Sequence, residues 1–509
     1  MFLLYKIPKE KLEKIFFWLV VLILATGIVV RVAVYLQNRN LFIDEANLAR
    51  NIYERSYGGF FKPLTYEQFA PPLWLCIEKL LGALFGYSEY VLRIYPLLAG
   101  IGTLFLLTMI LKRLTSYSAL WYPLGMLAVA FIFIRYSSEL KQYSSDAFIA
   151  LLLIFLALKI DPEKTKTRDF LLIWIFTGSI AILMSMPAVF VLPAVSLYYG
   201  VMSLQQKKYA VLLPIGISSC IWIVVFGSYY FTSLKPQIGL KYLQSFHEDY
   251  FLYLIPKTKI ELIHNWEVFR EKLCEVAGYD YYTLKFNIVL MVIAVVRFTR
   301  KHPAAGLLVI TPIIFVLVAA GMHLFTLIPR VSLFMMPLLL ILIGYGFEGL
   351  MCIRFWWAQA LLLIFGLHFI KNHNVLKFIY TPFAPKEQLT DGLAYLKGHH
   401  ITGDELYVNI AAVPAFKYYT QMHPQKRQWE QLKDAHFVHW SQYYGELSNK
   451  INDTATHDTA AFIYTSVMSD DLKLKKQELG MGLKLVDSFE RYDISAFAYL
   501  YIKRPKPAH

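Results

Sequence analysis

The chain has 509 residues, of which 57% are hydrophobic and 17% charged, against roughly 25% charged in an ordinary soluble domain, and this excludes a soluble globular protein. The net charge of +14 does not point to nucleic acid: residues 371–509 hold 17 Lys/Arg against 15 Asp/Glu, so +12 of the excess lies in the apolar part, where basic residues report topology. Four scattered cysteines, Cys76, Cys220, Cys274 and Cys352, give neither a disulfide framework nor a zinc spacing.

In chain order, apolar runs predict eleven spanning helices near 16–36, 91–111, 118–134, 144–160, 170–184, 186–204, 210–231, 283–296, 303–321, 331–349 and 356–370, several of which reach or approach the roughly 20 residues a span needs. The first run, "IFFWLVVLILATGIVV", continues to about Leu36 with no small-residue cleavage site and reads as a retained anchor. Basic clusters precede span one (Lys6, Lys9, Lys11, Lys14) and follow spans two (Lys112, Arg113), four (Lys164, Lys166, Arg168), six (Lys207, Lys208), eight (Arg297, Arg300, Lys301) and ten (Arg354). By the positive-inside rule those ends and the N-terminus are cytoplasmic. The loops 37–90 and 232–282 and the C-terminal region then face outward, across an inner (cytoplasmic) membrane.

Residues 371–509 lose the long apolar runs and read as a small soluble α/β domain, periplasmic by the same count. "PKEQLTDGLAYLKGHH" and "AVPAFKYYTQM" are expected helices, and "ELYVNI", "AAFIYTSV", "LKLVDSFER" and "ISAFAYLYIK" expected strands. The fold expected is thus an α-helical polytopic membrane module over residues 1–370 with a C-terminal extracytoplasmic α/β domain over 371–509.

Candidate chemistry gathers at the outward ends. Asp44 and Glu45 follow span one in "LQNRNLFIDEANLAR"; Asp44 can cap the helix that begins there, and a carboxylate at the membrane surface can also take a proton from a hydroxyl. After span three, "RYSSELKQYSSDAF" places Arg135, Glu139, Lys141, Tyr143 and Asp146 between two apolar helices, where charge is costly and marks a polar cavity or pathway. On a helix, Glu139 and Tyr143 would share a face at i, i+4. The tandem prolines of "QFAPPLW" (68–74) can start a short helix and stiffen the loop. Arg330, in "FTLIPRVSLFMMPLLL", opens span ten with a planar fork suited to a phosphate. "FHEDY" (246–250) and His264 offer oxygen and imidazole without a diagnostic metal spacing.

Taken together, Asp-Glu after span one, Pro-Pro later in that loop, Glu-x-Lys-x-Tyr after span three and Arg at a late span resemble the GT-C glycosyltransferases, in the branch of protein O-mannosyltransferases and the lipid A aminoarabinose transferase. The resemblance covers roughly residues 10–350, and "SSELKQYSSDAF" and "RVSLFMMPLLL" look most like members from Bacteroidota. It implies a polyprenyl-phosphate sugar donor, an outward-facing acceptor (protein hydroxyl, lipid or glycan) and inverting transfer in one step. Asp44 would be the base, with Glu45 shaping its charge and orientation; Lys141 and Arg330 would hold the leaving phosphate, and Glu139, Tyr143 and Asp146 would line the donor site. Phe69 and Ala70 stand where the aminoarabinose transferase carries Glu-Lys, and Met186 where a basic residue or histidine is often found. No residue is therefore assigned as a metal ligand, and the resemblance leaves open whether a divalent metal takes part.

Two other readings compete. A transporter or lipid-linked-sugar flippase would show paired repeats and helices broken at mid-bilayer, whereas here the ionisable residues collect at the outer interface. An oligosaccharide transferase or ligase of the same superfamily would hand over a whole glycan.

Overall fold

The structure, a computed structural model, describes residues 9–238, 247–351, 387–465 and 468–504. Among these, the membrane module runs α1 (Lys9–Leu36), α2 (Ile43–Glu54), α3 (Pro72–Phe85), α4 (Glu89–Leu114), α5 (Tyr117–Val129), α6 (Phe131–Tyr136), α7 (Tyr143–Lys159), α8 (Thr167–Met184), α9 (Ala188–Gln206), α10 (Leu212–Tyr229), α11 (Lys259–Ala277), α12 (Tyr281–Lys301), α13 (Pro303–Gly321) and α14 (Met336–Met351). Eight described helices are long and apolar enough to cross a membrane: α1, α4, α8, α9, α10, α12, α13 and α14. The predicted spans 118–134 and 144–160 correspond to α5 with α6 and to the 17-residue α7, and 356–370 lies outside the described residues.

Local chemistry sets the boundaries. Ser88 accepts from Val91 N to open α4, Thr258 from Glu261 N to open α11, and Asp280 from Thr283 N to open α12, each satisfying a backbone donor that a helix start leaves orphaned. As the tandem prolines suggested, Pro72 sits in the first turn of α3, where a missing N–H costs nothing.

The predicted third span is not continuous. It breaks at Ala130 (φ −60°, ψ 118°) into α5 and α6. The cause lies in α1, where the buried Arg31 guanidinium donates to Ala128 O at 3.1 Å, Leu127 O at 2.9 Å and Gly27 O at 2.9 Å. It thereby satisfies carbonyls at the end of α5 that apolar surroundings could not. Gly27 permits the approach, since a Cβ there would meet Leu104 Cδ1 at 3.0 Å and Ala128 Cβ at 3.1 Å. Arg31→Leu is expected to destabilise by about 1–3 kcal/mol for the stranded carbonyls, read as a lower unfolding temperature in detergent.

The C-terminal region is a five-stranded sheet in the order β2-β1-β3-β5-β4, formed by β1 (Leu406–Asn409), β2 (His436–Val438), β3 (Thr459–Thr465), β4 (Leu483–Arg491) and β5 (Ala496–Lys503). β1 pairs parallel with β2 and β3, while β5 pairs antiparallel with β3 and β4. Alternation along β3 sorts its side chains between two cores: Ala461 and Ile463 pack with Leu389, Leu393 and Leu396 of α15 (Leu389–Gly398) and Phe416 of α16 (Val413–Lys417), whereas Phe462 and Tyr464 pack with Tyr444 and Leu472 of α17 (Tyr444–Thr454) and α18 (Ser469–Leu479). The expected helices and strands of this region are present; β2, α17 and α18 are additional.

The first of these cores does not stop at the sheet. Leu41, Ala46, Ala49, Trp74, Leu92 and Leu140 of the membrane module belong to the same buried cluster as Phe416, Tyr418 and Tyr419. The segment before α2, the start of α4 and the turn before α7 are therefore packed together at the end of the bundle that carries the sheet.

Candidate active site

Three acids of the sequence reading lie within this end of the bundle, and the fold treats them differently. The N-cap of α2 is Phe42, without a side-chain cap bond, and Asp44 lies in the first turn. The expectation that Asp44 caps the helix is thus corrected: the chain enters α2 two residues earlier, and the carboxylate is left for other use.

Glu45 is fully buried and engaged on both oxygens. Arg93 of α4 donates Nη2 to Oε2 at 2.7 Å and Nε to Oε1 at 2.9 Å, and Leu140 N donates to Oε1 at 2.6 Å. This bidentate fork, with a backbone donor, is the geometry in which a buried charge pair holds. Glu139 is also buried; Arg135 Nε lies 2.7 Å from its Oε1 and Arg39 Nη1 3.9 Å. The expectation that Glu139 and Tyr143 share a helix face is overturned, because residues 137–142 form a turn between α6 and α7. Glu139 binds back to the end of α6 instead.

Asp44 differs. It is half-buried, and no hydrogen bond or ion pair among the described residues engages its carboxylate. Its charge acts on Lys141, Tyr143 and Arg330, so the structure gathers these four residues although they come from α2, the α6–α7 turn, the start of α7 and the turn before α14. Lys141 donates Nζ to Gln68 Oε1 at 2.9 Å, and Gln142 Nε2 donates to Phe69 O at 3.2 Å, so the segment ahead of the tandem prolines buttresses the turn. Burial pulls the Lys141 ammonium below the ordinary lysine value, with Arg330 adding to the fall and Asp44 opposing it. Tyr143 stacks edge-on against Tyr136 with ring centroids 5.1 Å apart. Asp146 lies one turn into α7, buried beside Ser185, with its Oδ1 unpartnered.

Among the described residues the donor set does not make up a divalent-cation site. Two of the acids are neutralised by arginines, and no group of three or more His, Cys, Asp or Glu able to hold a metal occurs among the described residues. His264 of α11 is within 2.8 Å of Phe251 O through Nε2. Sequence reasoning missed Arg93, Arg39 and Gln68; the signal for Arg93 was its place one turn inside "SEYVLRIY", where an arginine in an apolar helix calls for a buried anion or backbone carbonyls.

The bundle of long apolar helices with a sheet domain packed at one end has a GT-C-like membrane fold. Among the solved structures it resembles are the following. ArnT from Cupriavidus metallidurans bound to undecaprenyl phosphate matches with a TM-score of 0.54 and 13% identity over 94% of this chain and 97% of that one. The Archaeoglobus fulgidus oligosaccharyltransferase, solved with zinc and sulfate, matches with a TM-score of 0.52 and 12% identity over 94% of this chain and 72% of that one; its complex with an inhibitory peptide and a dolichol-phosphate gives 0.51 and 12%. No family profile matches this sequence, and no curated protein does.

Proposed function

We propose that the chain is an integral-membrane glycosyltransferase that moves a sugar from a polyprenyl-phosphate donor to a hydroxyl acceptor at the outer face of the cytoplasmic membrane, with inversion. The observation that carries this reading is the difference among the three acids: Glu45 and Glu139 are held by arginines, and Asp44 is left unpaired beside Lys141 and Arg330. A base must be able to take a proton, and a phosphate leaving group needs cations. The fold shared with a protein solved on undecaprenyl phosphate and one solved on dolichol-phosphate supports a lipid-phosphate donor. The basic loops, at the end of the bundle away from the sheet domain, support the outward placing of the site.

In the reaction, Asp44 accepts the proton of the acceptor hydroxyl as its oxygen bonds to the anomeric carbon. The bond from that carbon to the phosphate oxygen breaks, and its electron pair leaves with polyprenyl phosphate. Lys141 and Arg330 face the negative charge as it develops, where fixed cations in a water-poor site are worth most. Asp44 then returns its proton to water, so no covalent enzyme intermediate is needed.

Purified protein in liposomes loaded with polyprenyl-phosphate sugars extracted from the source membranes should release polyprenyl phosphate only when acceptor is present. Movement of labelled lipid between leaflets without consumption would instead establish a flippase. The likeness to the oligosaccharyltransferase favours transfer of a whole glycan as a second reading, distinguished by the mass added to the acceptor.

Removing either cation should weaken the phosphate side. Lys141→Gln and Arg330→Gln are each expected to raise the Kd for undecaprenyl phosphate about 10- to 150-fold, as loss of a charge-assisted bond of roughly 1.5–3 kcal/mol requires. Because burial lowers the Lys141 pKa, its cation is present below that lowered value and lost above it. Binding should therefore decline at a pH below the ordinary lysine value of about 10.4, and calorimetric titration of Lys141→Arg should lack that decline.

A further inference from the structure

The route by which the chain enters α2 is held from outside. Arg93 Nη1 donates to Arg39 O at 2.6 Å and Nη2 to Asn40 O at 3.3 Å, while two contacts come from the sheet domain: Asn40 Nδ2 donates to Thr390 Oγ1 at 2.9 Å, and Leu41 N donates to the Tyr419 hydroxyl at 3.0 Å. That hydroxyl in turn donates to Glu89 Oε1 at 2.7 Å, and His423 Nε2 lies 3.0 Å from Glu89 Oε2. Tyr419, His423 and Glu89 are all buried, and Glu89 is one turn from Arg93, the fork that grips Glu45. Since α2 has no side-chain cap of its own, these bonds fix where its first turn begins.

We infer that the sheet domain sets the aim of the base, and that Tyr419 and His423 are positioning residues for Asp44. The inference rests on the reading of Asp44 given above. Tyr419 uses one oxygen to tie the residue ahead of α2 to the start of α4, and His423 holds the same carboxylate from its other side so that the Tyr419 hydrogen bond keeps one direction. Tyr419 and His423 belong to the sheet domain, whereas Lys141 and Arg330 stand on turns of the membrane module. A displacement of about 1 Å at a reacting group can cost about 100-fold in rate, so a small shift of the α2 entry is enough to be measured.

The test uses the full chain in liposomes, with polyprenyl-phosphate sugars extracted from the source membranes as donor and undecaprenyl phosphate as binding probe. Tyr419→Phe, which removes one oxygen and keeps the ring, and His423→Leu should each lower kcat about 10- to 100-fold with the Kd for undecaprenyl phosphate changed less than about threefold. His423→Gln, which keeps an N–H for Glu89, should recover kcat to within about threefold of the parent. Full kcat in Tyr419→Phe and His423→Leu, alongside an inactive Asp44→Asn, would overturn the inference and leave the reading of Asp44 standing; an active Asp44→Asn would overturn that reading itself. Loss of undecaprenyl phosphate binding in step with kcat would also overturn it, by revealing a general collapse of the site. Should His423→Leu fail to fold, Tyr419→Phe decides alone.

Discussion

Asp44→Asn should lower turnover by about 100- to 10,000-fold, the usual contribution of a positioned general base, with undecaprenyl phosphate bound within about threefold of the parent affinity. The substitution keeps the size of the side chain and removes its ability to hold a proton. Nothing in the structure uses the Asp44 carboxylate to hold the fold: it has no ion pair or hydrogen bond among the described residues, so folding and the unfolding temperature should be nearly unchanged. Single-turnover release of polyprenyl phosphate, measured beside equilibrium binding, separates the two effects. Parental turnover by Asp44→Asn would remove Asp44 from the base role.

The second large effect concerns stability. Arg93→Met is expected to destabilise by about 3–5 kcal/mol, because it strands the carboxylate of Glu45, which has no exposed surface, as an unpaired buried charge. Glu45→Leu in the same chain removes the stranded charge and should recover part of that loss, although Leu140 N then loses its 2.6 Å acceptor and the Arg39 and Asn40 carbonyls stay without Arg93. The pattern to look for in detergent unfolding is a double variant more stable than Arg93→Met alone. Additive losses would mean that the pair is not coupled as drawn.

How far the sequence could be read depended on how local each cause was. Spanning helices and their basic ends were legible because a bilayer imposes length and charge rules on contiguous residues. The tandem prolines marked the start of α3 for the same reason. The break at Ala130 was not legible: no proline or glycine stands there, and its cause, Arg31, is 97 residues from Ala128. Asp44 and Glu45 look alike in sequence, and what separates their roles is Arg93, 48 residues beyond Glu45. The i, i+4 reading of Glu139 and Tyr143 failed because Glu139 lies in the turn after α6 and Tyr143 opens α7, and β2 was missed because three residues carry too little periodicity to show.

The contacts of Asn40 and Leu41 with Thr390 and Tyr419 span 350 and 378 positions of sequence. At roughly 5–20 residues per second, a ribosome needs about 20 to 70 seconds between threading the first loop and supplying the groups that complete it. The nascent bundle thus sits in the bilayer with the end that meets the sheet domain half assembled until synthesis is nearly over.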